Sequence, residues 1–175
     1  MRDAVERQPD PRATAFGTLF VVAQHLDRLG DIALAPLGLT TKQWLLLAVI
    51  SRGFPTSAPS LTEAAALYGS SRQNVKAIAG GLVERGYLRL APDPADGRVL
   101  RLEVTPRVSV FAGPDWAARE EAFFSFVFGG LAPAEVGLLA DLLQHWLSSV
   151  APNPELPAPR QPPADPARPP KGMPR

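Results

Sequence analysis

From Ala13 to about Ala35 the apolar residues Phe16, Leu19, Phe20, Ala23, Leu26, Leu29 and Ala33 recur at i, i+3, i+4 and i+7. That is the spacing of one helical face. Pro36 and Gly38 mark its end. A second helix follows Leu39. Thr40 and Gln43 have the S/T-x-x-E/Q spacing of a capping box. The run Trp44–Ile50 (WLLLAVI) is apolar nearly all round, as in a helix buried on several sides. Gly53–Pro59 then has the composition of a loop.

The pattern is clearest from Ser60 to Leu88. Ser60 and Glu63 form another capping box, with Leu61, Ala64, Ala65 and Leu67 as the inward face. Gly69 stands where a C-terminal glycine cap belongs. Ser70 and Gln73 have capping-box spacing again, so one short helix ends and the next begins within about three residues, a helix-turn-helix connection. On the second helix Val75, Ile78 and Leu82 point inward, leaving Ser71, Arg72, Gln73, Lys76 and Ala77 outside, and Gly86 caps the end.

Period-2 patterning follows. Tyr87–Leu90 reads as a strand. In Val99–Thr105, Leu100, Leu102 and Val104 alternate with Val99, Arg101 and Glu103. The intervening APDPADGR is rich in turn formers, so the pair predicts a hairpin with a polar tip. Thr105-Pro106 predicts an N-cap and an N1 proline. The helix it opens is interrupted at Gly113-Pro114. Helical patterns resume over Asp115–Phe128 and from Pro133 to about Val150, separated by Gly129-Gly130. There is no internal repeat.

Charge distribution adds a direction. From Ser71 to Arg107 the cations Arg72, Lys76, Arg85, Arg89, Arg98, Arg101 and Arg107 outnumber the acids Glu84, Asp93, Asp96 and Glu103. From Gly113 to Val150 a single Arg119 faces Asp115, Glu120, Glu121, Glu135 and Asp141. A basic middle beside acidic helices draws phosphate to the middle. The last 25 residues hold 10 of the 20 prolines, a composition too poor in buriable surface to offset its ordering entropy.

A capped helix, a turn, a second capped helix and a hairpin with a basic tip are the parts of a winged helix-turn-helix. At this point the sequence resembles the MarR family of bacterial transcriptional regulators. The resemblance is carried by GLTTKQWLLLAVI (Gly38–Ile50), SLTEAAALYGSSRQNVKAIAGGLVERGYL (Ser60–Leu88), DPADGRVLRLEVT (Asp93–Thr105) and LAPAEVGLLADLL (Leu131–Leu143). It implies a mainly α, α+β fold in which the first and last helices of two chains form a helical dimerisation domain. It also implies a small, often aromatic, acid bound between that region and the DNA-binding lobe. Two departures stand out. The family's wing carries Asp-Arg-Arg where this chain has Asp96-Gly97-Arg98, and the family's post-wing helix lacks a break like Gly113-Pro114.

The expected organisation is a flexible arm at 1–12, a dimerisation region at 13–36 and 106–150, a winged helix-turn-helix lobe at 37–105 and a disordered proline-rich tail at 151–175. Candidate DNA contacts are Ser70, Ser71, Arg72, Gln73, Asn74 and Lys76, since a recognition helix presents its N-terminal side chains to base edges and phosphates. Arg89, Arg98 and Arg101 on the hairpin join them. Arg98 suits the narrow minor groove, with Asp96 supporting the wing turn. Phe16, Phe20, His25 and Trp44 are candidates for an effector pocket, core packing being their alternative role.

Other chemistries find little purchase. There is no cysteine for a disulfide, a thiolate metal site or redox sensing. His25 and His145 have no partner at ligand spacing, so no metal or other cofactor is expected. Nucleophile elbows and phosphate-binding glycine loops are absent, and the chain is expected not to be an enzyme. Neither a signal peptide nor a membrane-spanning run is apparent, which makes the cytoplasm the expected location. The expected partners are double-stranded DNA, a second copy of the chain and a small aromatic ligand. The competing expectation is a winged-helix module that binds another protein.

Overall fold

The computed structural model describes residues 10–151, and the outer parts of the expected arm and tail, residues 1–9 and 152–175, lie outside the described residues. The chain divides into two compact units, Met1–Ala132 and Pro133–Arg175. The first holds helices α1 (Pro11–Leu34), α2 (Thr41–Gly53), α3 (Leu61–Tyr68), α4 (Arg72–Glu84) and α5 (Pro114–Phe128), with strands β1 (Leu88–Pro92) and β2 (Leu100–Val104). The mainly α winged helix-turn-helix expected from the sequence is what the chain forms.

Helix starts follow their caps. The Asp10 side chain accepts from the Arg12 amide and Pro11 occupies the first turn, where its missing N–H costs nothing. The helix therefore begins two residues before Ala13. A 3₁₀ turn (Ala35–Leu37) closes it into Gly38 at φ 68°. Both predicted capping boxes, Thr40/Gln43 and Ser60/Glu63, are present.

The third expected box, Ser70/Gln73, does not form. The Ser71 side chain is the cap of α4, accepting from the Asn74 amide. The reason lies in how α3 ends. Gly69 is left-handed at φ 73°, and the Gly69 and Ser70 amides both return to the Ala65 carbonyl. Ser70 thus still belongs to the closing turn of α3, and only at Ser71 is the chain free to start a new helix.

β1 and β2 pair antiparallel, with Arg89 opposite Glu103 and Ala91 opposite Arg101. The other edge of β2 is covered: the Leu102 amide donates to the Pro59 carbonyl at 2.8 Å, and Ser60 bridges Arg101. Tyr87, expected in the first strand, instead closes α4. It is buried and its amide donates to the Leu82 carbonyl.

The core lies beneath the helix-turn-helix. Leu46, Leu47 and Ile50 of α2, Ala64 and Ala65 of α3, Val75, Ala79 and Leu82 of α4, and Leu88 and Leu102 of the strands are all buried in it. Leu67, expected to face inward, is 53% exposed. The buried stripe of α3 runs through Leu61, Ala64 and Ala65, and Leu67 falls to its side, against Gly53.

After β2, Thr105 caps a 3₁₀ helix (Pro106–Ala112), and Gly113 becomes the N-cap of α5. The expected interruption is real. Trp116 of α5 is buried and meets Phe111 edge-on at 5.0 Å, and Phe111 lies 6.1 Å from the Tyr87 ring. These aromatic contacts pin α5 to the lobe despite the break. The second unit's helix α6 (Pro133–Val150) exposes Leu138, Leu139, Leu142, Leu143, Trp146, Leu147 and Val150. Among the described residues no single helix is long and apolar enough to cross a membrane.

Candidate nucleic-acid interface and apolar cavity

The N-terminal turn of α4 is built from its cap outward. The Ser71 hydroxyl accepts from the Asn74 amide at 3.2 Å, and the Asn74 side-chain amide donates to the Ser70 hydroxyl at 2.9 Å. Ser70, Ser71 and Asn74 are thus tied to one another. Arg72, Gln73 and Lys76 are exposed beside them. Among the described residues these three side chains have no hydrogen-bond or ion-pair partner. Ala77 and Gly80 continue the same exposed stripe, at the i+4 and i+7 positions from Gln73.

The wing is a constructed turn rather than a slack loop. The Asp93 carboxylate accepts from the Ala95 amide at 2.7 Å and the Asp96 amide at 3.0 Å. Asp96 in turn accepts from the Arg98 amide at 3.0 Å, and the Val99 amide returns to the Asp96 carbonyl. Asp96 thus ties the turn from both its side chain and its carbonyl. Arg98 is exposed at the tip with no side-chain partner among the described residues.

The other two hairpin arginines are not free. Arg89 pairs with Glu103 directly across the ribbon. Arg101 corrects the expectation of an open cation: its side chain is only 29% exposed and all of its contacts are internal. Its Nε donates to Asp93 at 2.5 Å, and its Nη1 donates to Glu63 at 2.7 Å and to the Ala58 carbonyl at 3.3 Å. Asp93 is 11% exposed and is held below the usual carboxylate range, first by Arg101 and then by the Ala95 and Asp96 amides. Glu63 is lowered chiefly by the Ser60 amide, with Arg101 adding to it. Sequence inspection did not single out Asp93 or the second role of Glu63. Glu63 lies 38 residues from Arg101 in the chain, and no local spacing signals the pairing.

A second feature lies in the same unit. A partly open pocket of about 210 Å³ with apolar walls is lined by α1 (Leu26, Gly30, Ala33, Leu34), α2 (Thr41, Trp44) and α5 (Trp116 to Phe128). Trp44, Trp116, Phe123, Phe124 and Phe128 supply its aromatic surface. Of the four residues expected to line such a pocket, only Trp44 does. Phe16 and Phe20 are exposed and stack on each other at 4.8 Å, and His25 is exposed. The cavity meets α1 first at Leu26, about 9 Å of helix rise beyond Phe20. Helical periodicity identifies the apolar face of α1 but not the point at which the lobe begins to cover it.

The α1–α2 junction that borders the cavity is clasped. The Thr41 amide donates to Asp31 at 2.7 Å, its hydroxyl to the Asp27 carbonyl at 2.7 Å, and Lys42 pairs with Asp27 at 3.4 Å. Gly30 is buried against Thr41 so closely that a Cβ there would collide with its hydroxyl.

Residues 37–99, the helix-turn-helix with most of its wing, match the MarR family model. The lobe is thus similar in sequence to members of the MarR family. Over 83 residues the chain is 32% identical to the transcriptional activatory protein BadR of Rhodopseudomonas palustris, a match covering 47% of each chain. The chain thus spans about half the length of that curated relative. Among solved structures, that of MarR superposes with a TM-score of 0.66 at 20% identity, covering 79% of this chain and 98% of that one. CouR from Rhodococcus jostii RHA1, solved with p-coumaroyl-CoA, superposes with a TM-score of 0.60 at 24% identity, covering 79% and 92%. The likeness to solved structures extends the MarR fold beyond the segment matched by the family model, and so beyond the lobe itself.

Proposed function

We propose that the chain is a sequence-specific, DNA-binding transcriptional regulator of the MarR type that acts as a homodimer and releases DNA when a small aromatic effector fills the cavity. One observation carries this reading. Arg72, Gln73 and Lys76 on α4 and Arg98 on the wing point outward without internal partners among the described residues, while neighbouring Arg89 and Arg101 are neutralised. A folded domain gains nothing from leaving a helix N-terminus and a loop tip cationic together. A duplex supplies the missing anions, with α4 in the major groove and the wing along the backbone. Arg72 and Gln73 have the donor patterns for guanine and adenine edges. Ser70, Ser71, Asn74 and Lys76 serve the phosphates or adjacent bases.

Dimerisation through residues 13–36 and 106–150 is supported by the apolar side chains left exposed on α1 and, separately, on α6. Two copies place two recognition helices on a pseudo-palindrome with half-sites about 34–36 Å apart. The ligand class follows from the cavity. A void of roughly 150 Å³ suffices for benzene, so 210 Å³ between two indoles and three phenyl rings fits one substituted aromatic ring. Repression by operator occupancy is the sign we adopt, although the relative from Rhodopseudomonas palustris is named an activatory protein. A cytoplasmic location accompanies the proposal.

The test is fluorescence anisotropy with promoter fragments against random duplex, paired with sedimentation. Preference for one fragment at two chains per site, lost on adding a benzoate or phenol, is the expected outcome. Equal affinity for every duplex, or a solitary chain at all concentrations, overturns it.

A further inference from the structure

Arg101 stands at the meeting point of the wing, the start of α3 and the loop before it. Asp93 belongs to the wing, Glu63 to the first turn of α3, and Ala58 to the loop that lies along the outer edge of β2. One guanidinium spans all three. Each carboxylate is already committed elsewhere: Asp93 organises the wing turn through the Ala95 and Asp96 amides, and Glu63 closes the capping box with the Ser60 amide at 2.7 Å. A planar group with several fixed donors can satisfy two such acceptors and a carbonyl at once, whereas an ammonium cannot reproduce the fork. Among the described residues, the hydrogen bonds of the 93–99 turn are otherwise internal to it.

We infer that Arg101 is a positioning residue that staples the wing to the helix-turn-helix and so fixes where Arg98 is presented. It acts on DNA through Arg98 and makes no contact with DNA itself. This role rests on the DNA-binding function proposed above, but its first test does not.

That test needs no DNA. In hydrogen exchange on the full chain, Arg101→Ala accelerates the Ala95 and Asp96 amides and leaves the α4 amides as they are. Glu63→Gln is the second variant, because glutamine can still close the capping box while losing the charge. It shifts the same amides in the same direction. Unchanged wing exchange in both variants overturns the inference, whatever the chain binds.

The DNA arm is a double-mutant cycle on a labelled 30-base-pair random duplex at low salt. Arg98→Ala and Arg101→Ala each weaken binding, by about tenfold for a lost charge-assisted contact. The double variant binds within about twofold of Arg98→Ala alone, since the contact can be lost only once, and Arg101→Lys recovers little. If the two losses instead multiply, Arg101 touches phosphate directly and the positioning role is wrong. A globally destabilised fold would lower the melting temperature without producing that non-additivity. If the wild-type chain binds no duplex, the proposed function falls while the exchange experiment still decides the role of Arg101.

Discussion

Two consecutive glycines in α4 predict opposite responses to the same substitution. A glycine inside a helix costs about 1 kcal/mol relative to alanine. At Gly80 an added Cβ meets nothing within 4 Å, so Gly80→Ala recovers that cost in full. For a chain of this size it raises the melting temperature by roughly 2–4 °C. At Gly81 the added Cβ lies 2.5 Å from Nε2 of Gln43 and 3.4 Å from Nη1 of Arg85. Gln43 must then swing away, although its Oε1 accepts from the Thr40 amide at 3.1 Å to close the α2 capping box. Losing a cap costs about 0.5–2 kcal/mol. The gain is therefore cancelled or reversed, and Gly81→Ala is neutral to destabilising. The assay is thermal and urea unfolding followed by circular dichroism, at one fixed protein concentration because the proposed dimer would make the midpoint concentration-dependent. DNA binding should run the other way for Gly80. It lies on the exposed stripe with Gln73, Lys76 and Ala77, and a methyl there holds α4 away from a groove, so the more stable variant binds duplex more weakly. A Gly80→Ala protein no more stable than wild type, or less stable than Gly81→Ala, refutes the reasoning.

Other substitutions bear on different parts of the molecule. Leu82, with no exposed surface at the centre of the core, should cost about 2–5 kcal/mol when cut to alanine, read as a drop in urea midpoint. Arg98→Ala should lower the slope of log affinity against log salt by about 1 and weaken all duplexes alike, whereas Arg72→Ala should relax preference at one base position. The wing should also respond to acid. Asp93 and Glu63 are held below their ordinary values of 3.8 and 4.5. The order they confer is thus complete above those values and disappears as pH falls through the lowered ones. Wing amide signals recorded from neutral pH downward should stay flat through the ordinary carboxylate range and broaden only below it. Loosening already at pH 6 would point to a different titrating group.

Much of the fold was written in short-range pattern. The boxes at Thr40/Gln43 and Ser60/Glu63, the left-handed glycines at 69 and 86, and the turn residues between the strands each depend on neighbours within a few positions, and each formed where expected. What could not be read off depended on how helices close and on contacts between separate segments. Ser70 loses the capping role because Ala65 claims its amide, a matter of how the preceding helix closes. Arg101 looks identical to Arg98 along the chain, yet it is consumed by carboxylates 8 and 38 residues away. The cavity needed α1, α2 and α5 to be placed together before Trp116 and Phe123 could be seen beside Trp44.

The chain has three tryptophans, and their distribution has a practical consequence. Trp44 and Trp116 both face the cavity, while Trp146 stands exposed on α6. Replacing Trp146 with phenylalanine leaves every remaining indole on the cavity wall. Tryptophan emission from such a variant then reports on the walls of that space, so candidate effectors can be ranked by titration without a dye, an operator or a promoter.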